Sequence, residues 1–206
     1  MSKYLGPVWK KSRALRFSIL ENKKEFSRGK KRITPPGIHG GKKKRQKSVY
    51  GLQLEEKQKI MYSYGWRDRQ LKNEYIKVKS EAGDIGVNLL ISSESRLDNL
   101  IFRSGLANTR GFSRQWVSSK HFLVDGKKVD IPSYKVKPGQ VISLKKEKDK
   151  ENKLIKNNLE QNAKVPPYLD FDKQKLTITY LRYPIAEELN KNIDTSLVIE
   201  WYNRRA

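Results

Sequence analysis

Residues 95–128 read SRLDNLIFRSGLANTRGFSRQWVSSKHFLVDGKK, and their pattern predicts two short helices followed by a β-hairpin. Ser95 and Asp98 have the S-x-x-D form of a capping box, which starts a helix. Gly105 is placed to end that helix, because glycine readily adopts the left-handed conformation found after a helix C-terminus. The apolar side of this first helix comprises Leu97, Leu100 and Ile101.

A second helix follows within a few residues. Asn108 or Thr109 can cap it, and its expected buried side comprises Phe112, Trp116 and Val117. Gly111 lowers the intrinsic stability of this helix, so we expect it to depend on packing by Trp116. Two helices joined by so short a turn must pack together.

The rest of the segment predicts a small antiparallel sheet. A strand over residues 121–124 leads into Asp125-Gly126, the two-residue signal for a type I′ turn, and the chain returns over residues 127–131. A further strand is expected at residues 141–144, after Pro138-Gly139. The unit is therefore helix, helix and sheet.

Cationic residues recur along this unit. Arg96 and Arg103 lie seven residues apart on the first helix, and Arg110 and Arg114 lie four apart on the second, where a like-charge pair costs about 0.2–0.5 kcal/mol. Phosphate groups of a nucleic acid would compensate the set, since the guanidinium fork suits them. A solvated face with an ion pair to Asp98 is the alternative for any single arginine. Further polar and cationic residues extend this surface towards the hairpin: Ser118, Ser119, Lys120, Lys127 and Lys128.

The whole chain is strongly basic. It has 206 residues and a formal net charge of +23, from 45 Lys and Arg against 22 Asp and Glu. We expect two small units, and a nucleic acid as the polyanion that neutralises this charge, with an anionic membrane surface as the alternative. No apolar run approaches the ~20 residues that span a bilayer, and no signal-peptide pattern opens the chain, so we expect a cytoplasmic protein.

Most of the charge lies in an N-terminal arm. Residues 1–50 contain 16 Lys or Arg and two Glu, which accounts for +14 of the +23. Residues 27–48 combine this charge with Pro and Gly, so we expect disorder until the segment meets phosphates. A solubilising tail or a targeting signal is the alternative. The first candidate RNA contacts are Lys3, Lys10, Lys11 and Arg13.

Helical patterns follow the arm. Residues 51–65 and 66–78 predict a helical hairpin divided at Gly65, with Leu54 and Met61 on the apolar side of its first helix. The expected apolar side of the second helix comprises Leu71, Tyr75 and Val78. A turn with Gly83 and Gly86 precedes another apolar run.

The C-terminal third combines a polar segment with a predicted strand and a predicted terminal helix. Residues 145–164 are almost wholly polar and predict a linker or a solvated helix, and residues 175–181 alternate as a strand does. Residues 192–205 predict a terminal helix capped at Asp194, with a closing strand as the alternative.

No enzyme chemistry is evident. The chain has no cysteine, and His39 and His121 are 82 positions apart, so neither a zinc site nor any cofactor is expected. Phosphate-binding and dinucleotide-binding glycine motifs are absent. Asp170 and Asp172 are interpreted as exposed residues of an extended stretch. DNA binding is not expected, because no dimerisation element is present to set half-site spacing.

Several runs closely resemble the bacterial small-subunit ribosomal protein number four family: PGIHGGKKKRQKSVYGLQLEEKQK, YGWRDRQLKNEY, LLISSESRLDNLIFRSGLANTR and VDGKKVDIPSYKVKPGQVISL. The resemblance covers essentially the whole chain. It implies a primary binder of small-subunit ribosomal RNA that engages a multi-helix junction early in assembly. It also implies contact with ribosomal protein five, a position near the mRNA entrance and an influence on decoding accuracy. A free-standing RNA-binding chaperone of the heat-shock type is the alternative.

The resemblance also implies an α+β fold with a mostly helical domain and an inserted α-α-β RNA-binding module. The implied divisions are an arm (1–43), the first part of the helical domain (44–92), the module with its polar segment (93–168) and a return to the helical domain (169–206). Positions matching the family's RNA-facing runs are Tyr50, Gln53, Lys57, Gln58, Arg69, Lys42, Lys43, Lys44, Arg45 and Lys47.

Two departures from the family pattern stand out. Many members carry zinc-binding cysteines in the arm, and this chain has none. Phe112 stands where members commonly have an acidic residue that completes a T-x-x-E box, which leaves the start of the second helix in question.

Overall fold

A computed structural model describes residues 4, 6–27, 33–38, 40, 46–145 and 165–204. These residues form α-helices and one five-stranded sheet, which confirms the predicted α+β class. The chain divides into two compact units, residues 1–89 with 190–206 and residues 90–189. Among the residues described, no helix has the length and apolar character needed to cross a membrane.

The helices are α1 (Val8–Leu15), α2 (Val49–Tyr64), α3 (Asp68–Lys79), α4 (Ile85–Glu94), α5 (Leu97–Arg103), α6 (Arg110–Ser118) and α7 (Thr195–Asn203). The strands are β1 (Phe122–Val124), β2 (Lys127–Lys128), β3 (Val141–Leu144), β4 (Leu169–Asp172) and β5 (Thr177–Tyr180).

The start of α5 differs from its prediction. The N-cap is Arg96, without a side-chain cap, so the predicted capping box of Ser95 and Asp98 is wrong. The Ser95 hydroxyl instead donates to the carbonyl oxygen of Ile91 and lies 2.9 Å from the Tyr180 hydroxyl. The Asp98 carboxylate accepts two hydrogen bonds from Arg96 instead of capping the helix. The predicted stop is confirmed, because Gly105 follows the helix with a φ of 84°.

The start of α6 is confirmed despite the missing acidic residue. The Phe112 amide donates to the Thr109 hydroxyl at 3.2 Å, so Thr109 is the cap. Trp116 and Val117 are buried as predicted, while Phe112 is only partly buried and packs on Trp116. The helix therefore begins at Arg110 with a Thr109 cap and without an acidic residue at position 112.

The sheet is antiparallel and has the order β2-β1-β3-β5-β4. Asp125 and Gly126 have φ values of 49° and 74°, as the predicted type I′ turn requires. The return strand β2 is shorter than expected. Strands β4 and β5 belong to this sheet, so residues 169–189 lie in the unit of the module rather than in the helical domain.

The predicted core of the second unit is largely confirmed. One cluster of buried side chains joins the α5 and α6 helices to the inner face of the sheet. Its members are Leu97, Leu100, Ile101, Leu106, Ala107, Trp116, Val117, Phe122, Val124, Val136, Ile142, Leu144, Tyr168, Leu169, Leu176, Ile178 and Tyr180.

The first unit contains the predicted helical hairpin, and Gly65 ends α2 in the left-handed conformation. Leu71, Tyr75 and Val78 of α3 are buried as expected. The proposed apolar side of α2 through Leu54 and Met61 is wrong. Its buried positions are Gln53, Lys57, Ile60, Ser63 and Tyr64, because α2 packs against α7.

The remaining terminal predictions have mixed outcomes. Residues 195–203 are helical, and Asp194 caps them by accepting from the amides of Ser196 and Leu197, so the helix prediction is confirmed. The arm contains a helix, α1, whose last residue Leu15 is buried, as are Phe17 and Ile19 beyond it. Residues 28–32, 41–45 and 146–164 lie outside the described residues, so the predictions for the arm's basic segment and for the polar linker stay predictions.

Candidate nucleic-acid interface

A buried carboxylate at the C-terminal end of α4 anchors the first arginine. Glu94 accepts two hydrogen bonds from Arg103, from Nε at 3.0 Å and Nη2 at 2.7 Å. The Tyr168 hydroxyl donates to the same carboxylate at 3.2 Å. A carboxylate at a helix C-terminus opposes the helix dipole, and these donors offset that cost. The Arg103 side chain remains 21% exposed, so it still reaches the surface.

A second buried carboxylate anchors two more arginines. Asp98 accepts from Arg96 at 3.0 and 2.7 Å and from Arg114 Nη1 at 3.4 Å. Arg114 comes from α6, so this carboxylate joins the two helices. Burial lowers the pKa of Arg114, an effect that the charge of Asp98 opposes and that of Arg96 reinforces. The guanidinium keeps its charge regardless, because arginine is not deprotonated in proteins.

Arg110 is held by an amide and an aromatic ring. Its Nε donates to the Asn99 amide oxygen at 2.7 Å, and its guanidinium carbon lies 4.5 Å from the centre of the Phe102 ring. Asn99 in turn donates to the Glu94 carboxylate at 2.6 Å. Arg103 and Arg110 are therefore connected through Glu94 and Asn99. We call these two arginines, together with Arg114 on Asp98, the arginine cluster.

Burial also raises the pKa of Tyr168, and the neighbouring Glu94 carboxylate acts in the same direction. Tyr168 is therefore a neutral donor to Glu94 over the physiological range. The Glu94 carboxylate therefore accepts hydrogen bonds from Tyr168 as well as from Arg103 and Asn99.

Lysines extend the basic surface of this unit. Lys120, Lys127 and Lys128 are exposed, as the sequence led us to expect. Lys120 has one weak surface ion pair, to Asp130 at 3.6 Å. Lys127 and Lys128 form the edge strand β2, where lysine also discourages pairing with another chain.

The first unit also contains candidate RNA-contact residues. Lys10 is exposed on α1, Lys11 lies over the Tyr62 ring, and Arg13 donates to Thr34 O at 3.4 Å. The other exposed or partly buried candidates are Lys47, Tyr50, Gln58 and Arg69. Lys47 pairs with Glu55, and the half-exposed Tyr50 ring lies 4.8 Å from Trp201.

Three predicted contact residues are turned inward. Arg96 is 2% exposed and paired with Asp98, so the ion-pair interpretation describes it and a surface role does not. Gln53 is buried and donates to Glu200 of α7. Lys57 is buried beneath Trp201, 4.7 Å from its ring centre, and pairs with Asp68. Lys3 and Lys42–Arg45 lie outside the described residues.

Glu94 and Asn99 were missed by the sequence analysis. Neither belongs to a cationic or aromatic pattern, and their partners Arg103 and Arg110 lie nine and eleven positions away in the chain. Helical periodicity relates residues within one helix, whereas these contacts connect α4, α5 and α6. The part of the chain that the structure describes contains no group of His, Cys, Asp and Glu able to hold a metal ion.

Comparison with known proteins finds two family models that match this chain. Residues 95–142 match the S4 domain, and residues 3–94 match the Ribosomal protein S4/S9 N-terminal domain. The S4 domain match contains the whole arginine cluster.

Full-length relatives agree with these two domain matches. The chain is 50% identical over 206 residues to the small ribosomal subunit protein uS4 of Mesoplasma florum, covering 99% of each chain. It is 45% identical to the uS4 protein of Mycoplasma capricolum and 46% identical to that of Geobacillus stearothermophilus, covering 99% of this chain and at least 98% of theirs. The resemblance found in the sequence is thereby confirmed, and the chain belongs to the uS4 family of small ribosomal subunit proteins.

Proposed function

We propose that this protein is a structural component of the small ribosomal subunit that binds its RNA directly, at a junction of several RNA helices, early in subunit assembly. The observation that carries the proposal is the arginine cluster. Arg103, Arg110 and Arg114 are each anchored by a buried polar group within the region that matches the S4 domain. All three side chains remain partly exposed, so the anchored guanidinium groups can still face a polyanion.

The cluster suits phosphate chemically. Arginine offers five N–H donors in a planar fork, and anchoring part of that fork reduces the entropy lost when a phosphate binds. Each phosphate contact also releases condensed counterions, so the affinity should fall steeply with salt. Because backbone contacts carry no base information, recognition of one junction depends on the shape of the folded RNA.

The basic arm supplies the second part of the interaction. Residues 1–50 contribute +14, and the arm's basic segment in residues 42–47 leads directly into α2. Tyr50, half exposed at the start of that helix, is suited to stack on an unpaired base. We infer that the arm and Tyr50 engage the RNA together.

Further roles are inferred from the resemblance alone. They are contact with ribosomal protein five, a position near the mRNA entrance and an influence on decoding accuracy. Residence in the ribosome would place the protein in the bacterial cytoplasm. The role is structural and requires no catalytic residue or cofactor.

Chemical footprinting of small-subunit ribosomal RNA with the purified protein, across a salt series, tests the proposal. We expect protection of one multi-helix junction that survives moderate salt. Deleting the arm is a poor variant, because Leu15, Phe17 and Ile19 are buried in the first unit. Changing Lys42, Lys43, Lys44 and Arg45 to Gln together removes the charge without removing those core residues.

The matched control changes four exposed lysines of the same unit to Gln: Lys72, Lys77, Lys79 and Lys191. Both variants lose four positive charges. A lower RNA affinity of the arm variant than of the control variant would therefore reflect a local role of the arm rather than the loss of total charge. Diffuse protection that disappears as salt rises, and that weakens equally in both variants, would contradict the proposal and favour the free-standing chaperone.

A further inference from the structure

We propose that Asn99 is a positioning residue for RNA binding, which fixes Arg110 and couples it to Arg103 so that both arginines meet adjacent phosphates of one RNA backbone. This inference rests on the proposed function. It assigns a role in RNA binding to a neutral side chain that is 0% exposed and cannot itself touch RNA.

Every polar atom of the Asn99 amide has a partner. Its Nδ2 donates to the Glu94 carbonyl oxygen at 3.0 Å and to the Glu94 carboxylate at 2.6 Å. Its Oδ1 accepts from Arg110 Nε at 2.7 Å. The two acceptors on one side and the donor on the other fix the orientation of the amide. Through Asn99, the position of Glu94 therefore determines where the Arg110 side chain lies.

Arg110 is held on a second side. The Phe102 ring lies 4.5 Å from the guanidinium carbon and 5.8 Å from that of Arg103. An amide oxygen at Nε and a ring beneath the guanidinium plane restrict the side chain's rotamers. Because a long arginine side chain otherwise loses considerable rotamer entropy on binding, this restriction should increase affinity for phosphate.

Glu94 joins the two arginines. One of its oxygens, Oε2, accepts from both Asn99 Nδ2 and Arg103 Nε, so Arg103 and Arg110 are fixed to the same carboxylate through one intervening amide. Asparagine suits this position because it both donates and accepts. Aspartate would instead place a second carboxylate against Glu94, and a like-charge pair at that distance is unfavourable.

A double-mutant cycle with the full-length protein and small-subunit ribosomal RNA tests the role. Asn99→Ala should weaken binding about 3- to 30-fold, with an unchanged slope of log affinity against log salt. Arg110→Met should weaken binding and reduce that slope by about one phosphate contact. In the Arg110→Met background, Asn99→Ala should cost less than about twofold, because the residue it positions is gone.

Control variants separate positioning from folding. Ser113→Ala removes another fully buried polar group of the same unit, a hydroxyl that donates to Thr109 O, and should leave RNA affinity unchanged. Should Asn99→Ala fail to fold, Asn99→Ser replaces it, since serine keeps a polar group at this fully buried position but lacks the amide that bonds to both Glu94 and Arg110. Asn99→Ser should also weaken binding, again only when Arg110 is present.

The outcomes are distinguishable. An equal loss of affinity with and without Arg110, for Asn99→Ala or for its substitute Asn99→Ser, would overturn the positioning role, and so would no loss at all. Failure of the unaltered protein to protect a single RNA junction would contradict the proposed function itself, whatever the variants do.

Discussion

Asp98 and Arg96 form a two-point ion pair in the interior of the second unit, with Nε–Oδ1 and Nη2–Oδ2 distances of 3.0 and 2.7 Å. Both side chains are almost fully buried. Asp98→Asn would remove the charge of the carboxylate that pairs with the buried guanidinium of Arg96. We expect the free energy of unfolding to fall by about 3–5 kcal/mol, measured by urea titration.

Asp130→Asn is the matched control, because Asp130 is half exposed and lies 3.6 Å from Lys120. Its effect should stay below about 1 kcal/mol. Equal effects of the two substitutions would mean that the buried pair contributes no more than a surface pair.

Lys57 illustrates a cation whose role is structural. Its ammonium pairs with Asp68 at 2.5 Å and lies over the Trp201 ring, so it connects α2 with α3 and α7. Lys57→Met should lower the free energy of unfolding by about 1–2 kcal/mol, mainly through the lost cation–π contact, since Asp68 itself is largely exposed. The salt slope of RNA binding should not change.

The comparison for Lys57 is Lys72→Met, which removes an exposed charge from α3 and should leave stability within about 0.5 kcal/mol. A reduced salt slope for Lys57→Met alone would show that Lys57 contacts phosphate after all.

The cap of α7 gives a third prediction. The Asp194 carboxylate accepts from the amides of Ser196 and Leu197 at 3.0 and 3.4 Å. Asp194→Ala should lower the free energy of unfolding by about 1 kcal/mol, because two helix amides lose their partner. Asp194→Asn keeps a capping oxygen and should be nearly neutral. Thermal unfolding of both variants measures these losses of stability. Equal losses for Asp194→Ala and Asp194→Asn would mean that the charge of Asp194, and not its capping oxygen, stabilises the helix.

Features encoded by neighbouring residues were predictable from the sequence. Thr109 and Asp194 each accept from amides two or three residues on, and Asp125-Gly126 forms its turn within the hairpin itself. The family resemblance was equally accessible, because it rests on continuous runs. Such features depend on backbone preferences that tertiary contacts seldom override.

Features set by contacts between distant elements were not predictable. Gln53 and Lys57 are buried because α7, more than 140 positions later, packs over them. The family resemblance placed Lys57 among the RNA-facing positions, since a match of sequence runs does not register the Trp201 ring and the Asp68 carboxylate that other helices supply. The same reason hid Asn99, whose importance follows only from the positions of Glu94 and Arg110.

The last prediction concerns alkaline pH. Burial raises the pKa of Tyr180 to about 12, although its hydrogen bond with Ser95 acts in the opposite direction. An unfolded tyrosine ionises near pH 10. Between pH 10 and about pH 12 the unfolded chain therefore loses a proton that folded Tyr180 keeps. Tyr180 contributes its full stabilisation below pH 10, and that stabilisation decreases as pH rises, by up to about 1.4 kcal/mol per pH unit.

Tyr180→Phe removes the ionisable group, so its free energy of unfolding should fall less steeply over this window than that of the unaltered protein. Part of the fall should remain, because burial also raises the pKa of Tyr168 and Tyr202. Ile178→Val changes the same buried cluster without a titratable group and should retain the original slope. Urea titrations at several pH values measure all three slopes, and identical slopes for the unaltered protein and Tyr180→Phe would exclude Tyr180 as a source of alkaline instability.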